Sequence, residues 1–312
     1  MNIQQFRYIL AVAEFKHFET AAEKCYISQS TLSTMISKFE EEIGIRIFDR
    51  KKKPVNLTLE GSILLEQLKT ISTDIEHLLE MAKQIKGEVS GKLNISVIPT
   101  VAPFLLPLFL QDFAQQFPNL NIVVKEETTE EILKKIKSRE IDIGIVSIPL
   151  RDKAITEIPL YDEPFVYYDA QNKSKGKVSV NANISERMCL MEEGHCMRTQ
   201  ILELCDLNKK KNKSGLGFEY RAGSIDSLTR FVQSNKLTTL LPYLSTLGFT
   251  EETKKHLSNF KSPVPHRTVG LVVSRHFVKK KVLDQLKNKI VQKVSKLLPT
   301  TATQAHILRP TR

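Results

Sequence analysis

Cysteine is scarce in this chain, four residues in 312, and that scarcity excludes a secreted scaffold stapled by disulfides. No stretch approaches the ~18 uninterrupted apolar residues that a membrane span requires. The opening "MNIQQFRYIL" has no basic segment leading into an apolar run and a cleavage site. These absences predict a cytoplasmic protein, in which a cysteine pair serves metal binding, catalysis or redox sensing more readily than structure. Charge of one sign is also missing where it would be most informative. The formal net charge is +11, but residues 1–57 hold nine basic against seven acidic side chains, a net of only +2. The surplus lies in "NKKKNKS" (208–214) and "SRHFVKKK" (274–281), runs that usually form solvated faces. Net charge therefore does not argue for DNA, and local pattern has to. The length suffices for about two domains, each with its own core.

Pattern is present from the start. "FRYILAVAEFKHF" places Phe6, Ile9, Leu10, Ala13 and Phe18 near helical spacing, and "ETAAEKCY" follows as a short helix whose paired alanines permit close approach. In "SQSTLSTMISKFEEEIG", Ser28 is a good N-cap, and Leu32, Met35, Ile36 and Phe39 form an apolar stripe ending at Gly44. The opposite face carries Gln29, Ser30, Thr31, Ser33, Thr34 and Lys38. Short hydrogen-bonding side chains there suit base edges and Lys38 a phosphate, although a plain surface helix also tolerates them. Ile45, Ile47 and Phe48 read as a short strand, Arg50, Lys51, Lys52 and Lys53 as a basic tip, and "VNLT" as a returning strand. Helix, turn, helix and basic hairpin in 57 residues predict a winged helix-turn-helix whose tip lies along the phosphate backbone. From Thr58 a broad apolar stripe runs to about Lys86, a helix of ~42 Å that calls for a second copy of itself as partner.

The set "FETAAEKCYISQSTLSTMISKFEEEIGIRIFDR", followed by "LTLEG", resembles the DNA-binding domain of LysR-type transcriptional regulators. It shows their double alanine, the "SQSTLS" start of the recognition helix and the "IFDR" turn; Cys25 stands where a leucine is common and reads as a small core residue. The resemblance implies residues 1–58 as a winged helix-turn-helix domain, 59–87 as a linker and dimerisation helix, and 88–300 as a regulatory domain. Residues 301–312 show no pattern and read as a flexible tail.

Beyond the hinge "GEVSGK" the order reads β-α-β-α-β through "KLNISVIP", "TVAPFLLPLFLQDFAQQFP", "LNIVVKEET", "TEEILKKIKSRE" and "IDIGIVSIP". Such alternation implies an α/β domain with a parallel sheet. Ligands of such folds gather at the C-terminal strand ends, where Thr100 and Thr129 both lie. "EPFVYYDA" and "RTVGLVVS" read as strands that cross between two lobes. This resembles the two-lobed, periplasmic-binding-protein-like effector domain of the same family.

"GHCMRTQILELC" (194–205) carries two of the four thiols. On a helix, nine positions separate them by ~13.5 Å on opposite faces, and a disulfide needs Cα atoms within ~7 Å, so helix and disulfide exclude each other. In isolation such a pair is more often inert core, and a zinc site lacks the usual C-x2–4-C spacing. The segment "CLMEEGHCMRTQILELC" with "IPT" (98–100), "EETT" (126–129) and "RTVGL" (267–271) resembles the peroxide-sensing OxyR subgroup. That resemblance implies Cys196 as the peroxidatic residue and Cys205 as the resolving one. It further implies that Thr100 and Thr129 hold peroxide, and that Arg267 and His195 activate the thiol. A thiolate attacks peroxide, so such a cysteine needs a lowered pKa, with Arg198 a further nearby cation. The resulting sulfenic acid condenses with a second thiol, and bond formation then has to unwind the helix between them. The implied protein is a DNA-binding regulator of oxidative-stress genes, not an enzyme, without cofactor or metal. Its implied partners are double-stranded DNA, further copies of itself (two or four subunits), RNA polymerase and hydrogen peroxide, with no membrane. The alternatives are a regulator of the same family that binds a small organic effector between the lobes, with incidental cysteines, and a thiol peroxidase.

Overall fold

The computed structural model describes residues 1–85, 89–171, 176–180, 187–204, 220–275, 277–299 and 305–308. The chain divides into two compact units, 1–88 and 89–312.

The first unit opens with helices α1 (Ile3–Phe15), α2 (Phe18–Lys24) and α3 (Gln29–Ile43), then strands β1 (Phe48–Asp49) and β2 (Asn56–Leu57), and helix α4 (Leu59–Ile85). Each helix begins where a side chain satisfies an orphan amide. Asn2 caps α1 in a reciprocal box with Gln5, and Ser28 caps α3 through the Thr31 amide at 3.2 Å. At α4 the Gly61 amide donates to Thr58 Oγ1 at 2.8 Å. Gly44 ends α3 in the left-handed region at φ 69°, where a Cβ is penalised. Ile9, Val12, Ala21, Leu32, Ile36, Phe39 and Ile47 pack into one core. Ile45 does not join a strand as its apolar character suggests: β1 starts only at Phe48, and Ile45 is exposed, because the turn after Gly44 points it outward. The wing is secured by the buried Glu40, whose Oε1 accepts the Ile47 and Phe48 amides at 2.8 and 3.2 Å.

The second unit continues with β3 (Gly91–Val97), α5 (Ala102–Gln116), β4 (Leu120–Glu126), α6 (Thr129–Lys137), β5 (Ile143–Ile148), β6 (Ile155–Asp169), β7 (Leu190–Met191), α7 (Cys196–Leu204), β8 (Arg221–Ala222) and α8 (Ile225–Ser234). After these come β9 (Thr238–Pro242), a 3-10 turn over Tyr243–Thr246, α9 (Glu251–Lys254), β10 (Leu257–Ser258), β11 (Val264–Ser274), α10 (Lys280–Val294) and β12 (Ala305–Ile307). Strand β3 pairs in parallel with β4 and β5, as the alternation predicts. The 15-residue β6 belongs to two neighbourhoods. Its first part pairs antiparallel with β11, and its last part with β9 and β10. Two lobes result, each with its own core. Leu93, Ile95, Phe109, Ile143 and Leu271 lie in one, Tyr168, Met191, Leu228 and Leu240 in the other.

Helix α7 stands at the junction of the two: Cys196 packs with the first core, Met197 and Ile201 with the second. One expectation fails. Residues 305–307 are not patternless tail but strand β12, parallel to β11, and Leu308 beyond it is only 2% exposed. Three residues are too few to show a period, and the edge of β11 supplies the order.

Candidate functional site

On α3, Gln29, Ser30, Thr31, Thr34 and Lys38 are exposed, and Ser33 is half-buried. Ser28 Oγ gathers the Ser30 and Thr31 hydroxyls at 3.0 and 2.8 Å, so the first turn presents a compact polar surface. The wing cations separate into two kinds. Lys51, Lys52 and Lys53 are exposed on the turn between β1 and β2, with Lys52 Nζ 3.6 Å from Asp49. Arg50 turns back instead. Its Nη1 donates to Ser33 Oγ, and Nη2 donates to Ser37 Oγ and Glu40 Oε2, all at 3.0 Å, while the guanidinium lies 5.1 Å from the Phe18 ring centroid. Arg50 thus braces wing against helix, and Ser33 is engaged with it.

The second constellation forms around Cys196, the first residue of α7 and 6% exposed. Gly194, with φ 94°, makes the sharp turn that lets the helix begin there. Arg267, central to β11 and 1% exposed, reaches the thiol's surroundings from the sheet. Its Nη1 donates to Thr100 Oγ1 at 2.9 Å and its Nη2 to the Thr100 carbonyl at 3.0 Å. Thr100 follows β3, so the strand end and the arginine meet. Thr129 is also buried, at 6% exposure. Thr128, not Thr129, caps α6, which releases the Thr129 hydroxyl. Its Oγ1 is buried without a formed hydrogen bond, which leaves its proton to the thiol it faces.

Burial pushes the Cys196 thiol up from its ordinary pKa; Arg267, Thr129 and the first amides of α7 pull it down without cancelling that effect. The lowered value expected of a peroxide-reactive cysteine is therefore not what the folded site displays, because desolvation outweighs one paired cation. His195 is buried and sits 3.6 Å from Glu192 Oε1, and Arg198 Nη1 donates to the Met191 carbonyl at 2.9 Å. Neither acts on the thiol as Arg267 does. Cys189 is buried just before β7 and its thiol is pushed up to about 11 by burial, which marks it as inert. Burial likewise raises Cys25, against Arg7. Cys205 lies outside the described residues.

Three participants were not visible in the sequence. Glu163 and Arg267 form an ion pair at 2.8 Å, each 1% exposed. The Tyr161 hydroxyl is buried without a hydrogen bond although its ring is partly exposed. Gln200 Nε2, on α7, donates to Ser147 Oγ at 2.9 Å and to the Leu308 carbonyl at 3.1 Å. A carboxylate within "YDEPF" or a glutamine within a helix carries no local signal for such roles. Strand register and chain return create them.

Residues 3–62 match the bacterial regulatory helix-turn-helix protein, lysR family, and residues 86–292 match the LysR substrate binding domain. The chain is 34% identical over 275 residues to a hydrogen peroxide-inducible genes activator of Pectobacterium carotovorum subsp. carotovorum, covering 87% of this chain and 90% of that one. It is 34% identical over 279 residues to the DNA-binding transcriptional dual regulator OxyR of Escherichia coli K12, covering 87% and 89%. Among solved structures, a full-length OxyR cysteine variant from Pseudomonas aeruginosa superposes with a TM-score of 0.72 at 27% identity, over 93% of this chain and 98% of that one. A hydrogen peroxide-bound OxyR cysteine variant from Corynebacterium glutamicum gives 0.62 at 27% identity, over 96% and 97%.

Proposed function

We propose, from the premise that the chain belongs to the LysR family of bacterial helix-turn-helix regulators, that it is a DNA-binding transcriptional regulator switched by hydrogen peroxide through Cys196. The observation that carries this is the buried thiol at the start of α7, facing Arg267 and the free hydroxyl of Thr129. Peroxide is small, and its two oxygens suit the hydroxyl of Thr100 and, when it turns from the sulfur, that of Thr129. The Cys196 sulfur, as thiolate, attacks one oxygen, the O–O bond breaks, and the other oxygen leaves as hydroxide and takes up a proton. Arg267 stabilises the negative charge throughout. The product is a sulfenic acid; attack by the Cys205 thiol on its sulfur expels water and leaves a disulfide.

Helix α7 makes that second step a conformational event. Its rise separates the Cα atoms of Cys196 and Leu204 by about 12 Å. The next Cα is 3.8 Å further along the chain, so with α7 intact Cys205 comes no closer than ~8 Å, beyond the ~7 Å limit. Bond formation then requires α7 to unwind, and α7 is shared by the two cores. The signal reaches DNA as a change in how subunits associate. Ile63, Leu78 and Leu79, exposed on α4, are suited to pairing with a second copy, and the polar turn of α3 with Lys51, Lys52 and Lys53 to groove and phosphates. RNA polymerase is the partner at the promoter, and the compartment is the cytoplasm; no helix among the described residues is long and apolar enough to cross a membrane.

The test is peptide mapping after one equivalent of peroxide. The expected product is a Cys196–Cys205 disulfide with Cys25 and Cys189 free, and a Cys189 bridge as main product would refute it. Cys205→Ser should stop at the sulfenic acid or over-oxidise, while Cys196→Ser should not react.

A further inference from the structure

Glu163 has no place in the chemistry just described, yet it is among the most completely enclosed charges of the protein. Strands β6 and β11 align it directly opposite Arg267. Its Oε2 accepts Arg267 Nε at 2.9 Å and Nη2 at 2.8 Å, and its Oε1 accepts the Leu244 amide of the 3-10 turn at 2.9 Å. The guanidinium is gripped on its other edge by Thr100 and lies 5.9 Å from the Phe165 ring centroid. Four directed contacts leave Arg267 little freedom of position.

The same pairing alters what the cation does at a distance. An unpaired guanidinium would present a full positive charge to the sulfur, but a guanidinium with a carboxylate on one edge presents a dipole, whose field falls off faster. We infer that Glu163 is a positioning residue of the sensing site: it holds Arg267 against Thr100 and neutralises enough of its charge to keep the resting Cys196 mostly protonated, so that only a minor thiolate fraction attacks peroxide. This deepens the reading of Cys196 as the sensing residue and rests on it.

The surroundings agree. Despite the burial that opposes its charge, Arg267 is raised above its ordinary pKa by Glu163 first and then by Cys196 and Tyr161; one cation thus serves the carboxylate before the sulfur. Tyr161, two residues before Glu163 on β6, is pushed well up by burial and next by Glu163, against Arg267, so it stays a neutral phenol. From α7 comes Cys196 itself; just ahead of it His195 faces Glu192. The turn after β3 and the first turn of α6 bring hydroxyls, Thr100 and Thr129. Glu163 is therefore the carboxylate that sets how much of the Arg267 charge reaches the sulfur.

The test uses the full chain, Glu163→Gln and Glu163→Asp. Thiolate absorbance against pH, taken as the difference from the same protein carrying Cys196→Ser, reports the Cys196 midpoint. Glu163→Gln removes the charge and keeps an acceptor for Arg267, so the midpoint should fall by about one unit, a tenfold gain in thiolate at neutral pH. Peroxide reactivity should rise only about threefold, since nucleophilicity declines with basicity. Glu163→Asp keeps the charge but is too short to serve Arg267 and Leu244 together, so it should lower the midpoint by less, and it supplies the answer if Glu163→Gln does not fold. A midpoint that stays put or rises in the folded variants would overturn the inference, since a merely structural carboxylate would loosen Arg267 and leave the thiol more basic. A lowered midpoint with unchanged peroxide reactivity would support the role of Glu163 and count instead against peroxide as the signal.

Discussion

Thr129→Val separates activation of the thiol from stability of the fold. The substitution is nearly isosteric and deletes a single buried hydroxyl that is without a partner while Cys196 is a thiol and donates to the sulfur once it is a thiolate, which lowers the pKa of Cys196. A hydrogen bond to a charged group is worth about 1.5–3 kcal/mol, so losing it disfavours the thiolate by that much and raises the Cys196 pKa further. With the thiol already above its ordinary value, the thiolate fraction at neutral pH falls about tenfold to a hundredfold. The more basic sulfur is a better nucleophile and recovers about half of that on a logarithmic scale, leaving peroxide oxidation about threefold to tenfold slower. Folding stability should be unchanged or up by as much as ~1 kcal/mol, because a buried polar group without a partner has been removed. The chain contains no tryptophan, so the assay is quenched flow with alkylation and peptide mass mapping, and circular dichroism in urea for stability. A variant that reacts at the unaltered rate, or one whose slower reaction is matched by a loss of stability, would refute the reasoning.

Gln29→Ala or Ser30→Ala should weaken binding to specific DNA while leaving random DNA nearly unaffected. Lys53→Ala should weaken both and flatten the salt dependence of binding by about one unit of slope, read by anisotropy titration. Arg50→Ala should also lower the melting temperature of the first unit, since it removes three hydrogen bonds between wing and α3. Leu308→Ala should destabilise the second unit by about 2–5 kcal/mol in urea and increase amide exchange in α7. A dispensable tail would change stability by less than ~0.5 kcal/mol. At alkaline pH the sign follows from the raised thiols. The stability contributed by neutral Cys189 is complete below its unfolded pKa of ~8.5 and lost as pH rises through about 11. Cys189→Ala should accordingly flatten the alkaline limb of a stability–pH curve by at most about 3 kcal/mol.

Local order was legible along the chain because caps, periods and turn residues act over a few positions. Ser28 and Gly44 bound the recognition helix where their chemistry requires, and the β-α-β-α-β alternation produced the parallel strands it implies. The spacing of Cys196 and Cys205 sets helix against disulfide in the sequence itself, since that conflict needs only the helical rise. What the sequence could not determine depends on residues far apart in the chain. Glu163 meets Arg267 across 104 positions through the register of β6 and β11, and Leu308 returns to Gln200 across 108. The direction of the Cys196 shift belongs to the same class. A flanking cation argues for an acidic thiol, but burial between two lobes argues the reverse, and only the tertiary structure states how much water the sulfur loses. Thr129 follows the same logic in miniature: capping by its neighbour Thr128 frees its hydroxyl, and the fold directs that hydroxyl at the thiol.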